Sequence, residues 1–228
     1  MPMRIAVVGA SSGIGRELVF QARTAGHHAV AVSRSMGSEE APRLTRVKGS
    51  ILDPGVAERA VAGADAVAWC LGVRTLGPAF LRTVTVFSEG TSRTIEAMNG
   101  AGVSRLAVIT GLGAGESRGH GNFFYDWIAL PLALGAIYAD KDRQEAIVKT
   151  SGLNWTIVRP TLLTNGPRTG RYRVLEKLEG THAGSISRAD CADCLMRAMV
   201  EGAWSRAAIT ITDAHEHGET RRRSPPGD

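Results

Sequence analysis

Short apolar runs alternate with longer segments of helical periodicity along most of this chain. The runs are rich in β-branched residues and predict buried strands, while the segments between them place apolar residues on one side of a helix. The first predicted strand begins at residue 4, and further strands span 28–33, 44–48, 65–71, 103–110, 154–159 and 207–212. The predicted helices span 16–25, 85–100, 136–150 and 190–199, and another begins at residue 53. Alternation of this kind predicts a parallel sheet wound on both faces.

A glycine-rich turn follows the first strand directly. Residues 5–15 read I-A-V-V-G-A-S-S-G-I-G, and a helical pattern begins at Arg16. Glycine lets such a turn approach a pyrophosphate closely, and the free N–H groups of the next helix favour negative charge. We therefore predict a dinucleotide-binding turn formed by Gly9, Ser11, Ser12, Gly13, Ile14 and Gly15. A glycine-rich turn that binds no ligand is the alternative.

These patterns together predict an α/β protein with a single-domain Rossmann fold. The expected sheet is doubly wound and mostly parallel, with strand order 3-2-1-4-5-6, room for a seventh strand, and helices on both faces. The chain of 228 residues suits one domain. We assign residues 1–212 to this domain and residues 213–228, which lack apolar periodicity, to a mobile C-terminal tail.

The residues after the second strand distinguish between two nucleotides. Ser33, Arg34 and Ser35 stand there, and no acid follows before Glu39. An acid at this point would bind the ribose hydroxyl of NAD, whereas an arginine accommodates the extra phosphate of NADP. Arg34 is therefore a predicted 2′-phosphate ligand flanked by two serine donors, and NADP(H) is the expected cofactor. A solvated loop arginine is the alternative.

Further cofactor positions are expected at the ends of other elements. Asp53 and Pro54 predict a helix start, with Asp as N-cap and Pro at the first helical position, and Asp53 is also a candidate contact of the adenine. The fourth strand ends at Leu71 and Gly72, where the chain would pass the cofactor before Arg74.

A long irregular stretch, residues 112–131, interrupts the alternation. It is rich in glycine and aromatic residues and lies where the carboxyl ends of the strands should form a ligand crevice. We interpret it as a substrate-facing loop whose candidate polar groups are His120, Tyr125 and Asp126. Aromatic residues that merely cover the pocket are the alternative.

Composition narrows the function classes only slightly. The net charge of +5 is spread along the chain without an aromatic-interleaved basic cluster, so nucleic acid is not an expected partner. The longest apolar stretch, 127–138, is too short to cross a membrane. The first strand leaves no room for a targeting segment, and three cysteines fit a reducing compartment, so we expect a cytoplasmic protein. Cys191 and Cys194 form a C-x-x-C without further ligands, and we expect no metal.

Several motifs, in order and spacing, resemble the atypical branch of the short-chain dehydrogenase/reductase superfamily. The resemblance is to the NAD(P)H-binding group that contains biliverdin-IXβ/flavin reductases and NmrA-like proteins. The matching motifs are G-A-S-S-G-I-G-R at 9–16, V-F-S-E-G-T at 86–91, A-V-I-T-G at 107–111, Y-A-D-K-D-R-Q-E-A at 138–146, S-G-L-N-W-T-I-V-R-P at 151–160 and I-S-R-A-D at 186–190.

The resemblance implies roles for residues near the nicotinamide. Residues 160–163 are expected beside that end of the cofactor, with Pro160 and Leu162 as the named contacts. Ordinary members use Tyr-x-x-x-Lys, in which the lysine also holds the cofactor ribose, so Lys141 is an expected cofactor contact. However, Ile137 stands four residues before Lys141, and Tyr138 is one residue out of register. Residues i and i+3 still share a helix face, so Tyr138 and Lys141 stay catalytic candidates.

Other expectations from the resemblance concern the fifth strand and the oligomeric state. The serine expected at the end of that strand is replaced by Thr110, which either bonds a substrate carbonyl and the cofactor or only ends the strand. Members of this group suggest a monomer or a weak homodimer.

Three functions are consistent with these residues. The leading hypothesis is an NADPH-dependent reductase that transfers hydride to a planar conjugated or carbonyl-bearing small molecule, such as a flavin, quinone, enone or biosynthetic ketone. Tyr125 joins Thr110, Tyr138 and Lys141 as its catalytic candidates. The alternatives are a non-redox isomerase, cyclase or dehydratase on the same scaffold and an NmrA-like protein that senses NADP without turnover.

Overall fold

The computed structural model describes residues 1–35, 37, 41–72, 84–114, 135–177 and 184–214. Its strands are β1 (Arg4–Val8), β2 (His28–Ser33), β3 (Leu44–Lys48), β4 (Ala66–Trp69), β5 (Arg105–Ile109), β6 (Asn154–Pro160), β7 (Leu162–Thr164), β8 (Tyr172–Leu175), β9 (Ser185–Ser187) and β10 (Ala207–Asp213). Its helices are α1 (Gly13–Thr24), α2 (Val56–Val61), α3 (Val86–Ala101), α4 (Gly135–Thr150) and α5 (Arg188–Val200).

The main sheet has the order β3-β2-β1-β4-β5-β6-β10-β8. The first six strands are parallel and confirm the predicted order 3-2-1-4-5-6. The seventh predicted strand is β10, which pairs in parallel with β6. Antiparallel β8 closes that edge, and β7 pairs with β9 in a small separate sheet. Strands β7, β8 and β9 were not predicted, because they are short and only partly buried and so carry no continuous apolar run.

Helices cover both faces of the sheet, as predicted. On one face, Ile5 and Val7 of β1 belong to a core shared with α1 and α5. On the other, Ala6 and Val8 belong to a core shared with α2, α3 and α4. Side chains of a strand alternate between faces, so a strand that is apolar at every position supplies both cores.

The predicted start of α2 at Asp53 is wrong. The helix begins at Val56, after Gly55 in the left-handed region (φ 73°). The Asp53 carboxylate instead accepts a hydrogen bond from the backbone N–H of Ser50 (2.7 Å). Asp53 therefore accepts a backbone N–H of the preceding turn and not one of the helix, since an aspartate carboxylate can bind the N–H groups of either structure.

The predicted start of α5 at Asp190 is wrong by two residues. The helix begins at Arg188 and its N-cap is Ser187, whose hydroxyl oxygen accepts the backbone N–H of Asp190 (2.9 Å). Asp190 occupies the third helical position, where an acid complements the helix dipole.

Within the described ranges, every helix is too short or too polar to span a bilayer. The tail from residue 215 onward lies outside those ranges.

Candidate functional site

A crevice of about 1500 Å³ lies at the carboxyl ends of β1, β2, β4, β5 and β6. This is the edge at which open α/β sheets bind ligands. Thirteen predicted cofactor residues line it: Gly9, Ser11, Ser12, Gly13, Ile14, Ser33, Arg34, Ser35, Leu71, Gly72, Thr110, Lys141 and Pro160. Typical small-molecule sites enclose about 300–1,000 Å³, so this crevice is larger than most of them.

Two glycines of the turn are required by packing inside the protein. A Cβ added to Gly9, which has a φ of 86°, would lie 2.8 Å from the Leu71 Cα atom, and a Cβ added to Gly15 would lie 2.3 Å from the Gly9 carbonyl oxygen. These contacts bring α1 and the end of β4 close to the turn. Gly15 therefore lies beneath the crevice rather than in its lining.

The start of α1 fits a negatively charged group. Ser12 is the N-cap, and among the described residues its side chain makes no capping hydrogen bond and the first turn holds no acid. The first N–H groups of a helix need acceptors, and a phosphate can supply them. A Cβ added to Gly13 would meet no atom nearer than 3.8 Å, so space is left beside the turn.

Charge in the crevice is strongly unbalanced. Glu17 is the single acid among the described lining residues, whereas five lining residues are cationic: Arg16, Arg34, Lys141, Arg168 and Arg188. At the end of β2, Arg34 is exposed, and the Ser33 hydroxyl donates a hydrogen bond to the backbone oxygen of Ser35 (2.6 Å). The arrangement favours an anionic ligand.

Lys141 of α4 reaches the crevice at the end of β5. Its ammonium donates a hydrogen bond to the backbone oxygen of Thr110 and lies 5.4 Å from the ring centroid of Phe87. Burial lowers the pKa of Lys141 to about 8, and the nearby Glu145 carboxylate opposes that shift. Lys141 is therefore a cation whose charge is sensitive to mildly alkaline pH.

The Tyr138 hydroxyl approaches the same place. A Cβ added to Gly111, the residue after Thr110, would lie 3.0 Å from the Tyr138 Oη atom and 3.7 Å from the Lys141 Nζ atom. The Lys141 ammonium is 5.6 Å from the centroid of the Tyr138 ring. Tyr138 does not line the crevice itself, but the i, i+3 spacing brings its hydroxyl and the ammonium to one side of α4.

The Thr110 hydroxyl hydrogen is already used inside the protein. It is donated to Oε1 of Glu145 (2.8 Å), and Thr110 is buried. Glu145 in turn forms an ion pair with Arg159 of β6. This geometry favours the interpretation that Thr110 ends the strand over one in which its O–H donates to a substrate carbonyl.

Other predicted residues lie elsewhere. Asp53 is exposed and does not line the crevice, and Leu162 is 72% exposed, whereas its neighbour Leu163 lines the crevice. The one-residue difference follows from the alternating faces of β7. Arg74 lies outside the described residues, as do residues 115–131 of the predicted loop with its candidates His120, Tyr125 and Asp126.

A group of residues that follow β6 in the sequence also lines the crevice and was not predicted. They are Asn165, Gly166, Pro167, Arg168 and Arg188, whereas Leu163 belongs to the segment that was expected near the nicotinamide. The I-S-R-A-D motif contained Arg188, but nothing in the sequence placed its side chain beside the glycine-rich turn.

The three cysteines behave as packing residues. Cys70, Cys191 and Cys194 are buried free thiols in the core between the sheet and helices α1 and α5. Burial raises the pKa of all three thiols, that of Cys194 to about 12. Thiols of this kind are poor nucleophiles and poor metal ligands at neutral pH.

Known proteins match this chain over nearly its whole length. The YhfK protein of Bacillus subtilis, named an uncharacterized sugar epimerase, is 28% identical over 92% of this chain and 94% of its own. A short-chain dehydrogenase/reductase from Veillonella parvula in complex with NADP has a TM-score of 0.76 at 21% identity, over 95% of this chain and 97% of that one. ChuY of Escherichia coli O157:H7, named an anaerobillin reductase, has a TM-score of 0.73 at 22% identity, over 92% and 97%.

A family model described as NAD(P)H-binding matches residues 9–201. The match contains every lining residue of the crevice except Val8, among them the glycine-rich turn, the end of β2, Lys141 and Arg188. The chain belongs to this NAD(P)H-binding family and has the fold of the atypical short-chain dehydrogenase/reductases.

Proposed function

We propose that this protein is an NADP(H)-dependent reductase acting on a planar conjugated or carbonyl-bearing small molecule. The observation that carries the proposal is the approach of the Lys141 ammonium and the Tyr138 hydroxyl to one another beside Gly111, at the end of β5. The crevice extends from the glycine-rich turn to the end of β5, so a dinucleotide bound at the turn would extend toward Lys141.

The bound cofactor would supply the hydride, and the chain would supply position and a proton. Tyr138 does not line the crevice, so its O–H is our candidate proton donor to the reduced substrate through one bridging water, and solvent returns the proton afterwards. The Lys141 charge stabilises the tyrosinate that this transfer leaves behind. Pro160 and Leu163 would limit access of water from the β6 side of the crevice.

Preference for the phosphorylated cofactor rests on Arg34. Arg34 follows β2, at the position where NAD-binding proteins carry an acid that binds the ribose hydroxyls. Its side chain is exposed and lines the crevice. A charge-assisted hydrogen bond contributes about 1.5–3 kcal/mol, or roughly tenfold to a hundredfold in affinity. Arg34→Ala should therefore weaken NADP⁺ and NADPH at least tenfold and leave NAD⁺ unchanged. Arg93→Ala, on the exposed face of α3, removes the same charge as a control.

The reductase chemistry is tested by stopped-flow mixing of protein and NADPH with flavins, quinones and enones. We expect oxidation of NADPH by at least one class and a lower kcat for Tyr138→Phe at unchanged NADPH affinity. No oxidation by any class would contradict the proposal. A product formed without net loss of NADPH would assign the site instead to non-redox chemistry of the epimerase kind.

A further inference from the structure

Arg188, the first residue of α5, lies against the glycine-rich turn despite its great distance from it in the sequence. A Cβ added to Gly13 would lie 3.8 Å from the Arg188 Nε atom and 3.9 Å from its Cδ atom. Both residues line the crevice. The guanidinium therefore stands beside the part of the crevice onto which the uncapped start of α1 opens.

One side of this guanidinium is fixed by the segment after β7. The Nη1 atom donates hydrogen bonds to the backbone oxygen of Thr164 (3.1 Å) and to Oδ1 of Asn165 (2.8 Å). The Nε and Nη2 atoms have no hydrogen-bond partner among the described residues. An arginine held in this way offers its remaining donors in a fixed orientation, which suits a two-oxygen acceptor such as a phosphate.

We propose that Arg188 binds the pyrophosphate of the dinucleotide, as a second ligand beside the N–H groups at the start of α1. The proposal rests on NAD(P)H binding by this family and is independent of which molecule is reduced. A pyrophosphate carries two negative charges, and the helix N-terminus supplies only about half of a positive charge. Arg188 supplies a full charge at the same point.

This role differs from that of Arg34 in a measurable way. The 2′-phosphate that Arg34 would bind is present only in NADP, whereas the pyrophosphate is common to NADP and NAD. Adenosine 2′-monophosphate has the 2′-phosphate but lacks the pyrophosphate. Comparison of the three ligands therefore separates the two arginines without any measurement of turnover.

The experiment is isothermal titration of the wild type, Arg188→Gln and Arg34→Ala with NADP⁺, NAD⁺ and adenosine 2′-monophosphate. We expect Arg188→Gln to weaken NADP⁺ and NAD⁺ by the same factor, tenfold or more, with adenosine 2′-monophosphate unchanged. Arg34→Ala should weaken NADP⁺ and adenosine 2′-monophosphate and spare NAD⁺. Arg93→Gln removes an arginine charge on α3, away from the crevice lining, and should change none of the three.

Two further variants separate ligand binding from a purely structural role. Arg188→Lys keeps the charge but not the two-pronged geometry, so its loss for NADP⁺ and NAD⁺ should be intermediate. Asn165→Ala removes one bond that fixes the guanidinium and should cause a smaller loss of the same pattern. The thermal midpoint of each variant, measured without ligand, checks that it is folded.

Several results would overturn the proposal. Wild-type affinity of Arg188→Gln for NADP⁺ and NAD⁺ would do so, as would an equal loss for adenosine 2′-monophosphate, which would indicate general disruption of the crevice. If Arg188→Gln does not fold, full wild-type affinity of Arg188→Lys would have the same meaning. Failure of the wild type to bind either dinucleotide would instead contradict the cofactor assignment on which the proposed function depends.

Discussion

Glu145 of α4 and Arg159 of β6 form a buried ion pair beside the end of β5. Their side chains are 2% and 6% exposed, and the Arg159 Nε atom donates to Oε1 of Glu145 (3.0 Å). The same carboxylate accepts the Thr110 hydroxyl hydrogen (2.8 Å). The pair therefore joins α4 to two strands, and it fixes α4 one turn away from Lys141, whose position the proposed chemistry requires.

Loss of one partner from this pair should be costly. Glu145→Gln removes one charged partner of this buried pair, and a loss of that kind typically costs about 3–5 kcal/mol of the free energy of unfolding. Urea unfolding at pH 7 measures this change. Glu201→Gln breaks the exposed pair with Arg197 and should cost less than about 1 kcal/mol. A Glu145→Gln protein as stable as the Glu201→Gln control would show that the pair contributes nothing.

Asp140 of α4 caps a different helix. Its Oδ2 atom accepts the backbone N–H of Phe87 (2.8 Å), and its carboxylate also accepts the Ser88 hydroxyl, at the start of α3. The N-cap residue Thr85 makes no such bond itself. Asp140→Ala should therefore destabilise the protein by about 1–3 kcal/mol and speed amide hydrogen exchange in the first turn of α3.

The control for Asp140 is Glu96→Ala, which removes an exposed acid from α3 itself. It should leave the exchange rates of the first turn unchanged. Equal rates in Asp140→Ala and the wild type would mean that water caps this helix equally well.

Substitution of glycine by alanine should lower the stability of the protein at one helical position and raise it at another. A Cβ at Gly15 would lie 2.3 Å from the Gly9 carbonyl oxygen, whereas a Cβ at Gly100 of α3 would meet nothing within 4 Å. Gly15→Ala should lower the thermal midpoint because α1 must move away from the turn. Gly100→Ala should raise stability by about 0.5–1 kcal/mol, the ordinary helix preference for alanine. A stable Gly15→Ala protein would contradict the close packing of α1 against the turn.

Lys141 should give the protein a distinctive pH dependence of stability. Burial lowers its pKa from 10.5 to about 8, so between those pH values the unfolded chain binds more protons at this site than the folded protein. The free energy of unfolding therefore gains a contribution that rises with pH from about 8 to 10.5. Urea unfolding of the wild type and Lys141→Met across this range should reveal the rise as a difference between the two proteins.

The matched control replaces an exposed lysine, Lys48→Met. Its stability should follow that of the wild type over the whole range. A constant difference between wild type and Lys141→Met would mean that the lysine titrates outside this window.

The sequence by itself determined the parallel part of the sheet and the cofactor class. Strands β1, β2, β4, β5 and β6 were predictable because a strand buried on both faces needs an apolar run, and such a run is visible locally. The spacing of Gly9, Gly13 and Gly15 was equally informative, since the turn between β1 and α1 is a local structure.

Only the tertiary structure decided how the site is assembled. Strands β7, β8 and β9 are short and depend on pairing with residues far away in the sequence, so their residues carry no local signal. No local pattern reveals the contact of Arg188 with Gly13 or the hydrogen bond between Thr110 and Glu145. Nor does a local pattern show that Leu163, and not Leu162, lines the crevice. Each depends on where separate elements meet in space, which periodicity along the chain does not encode.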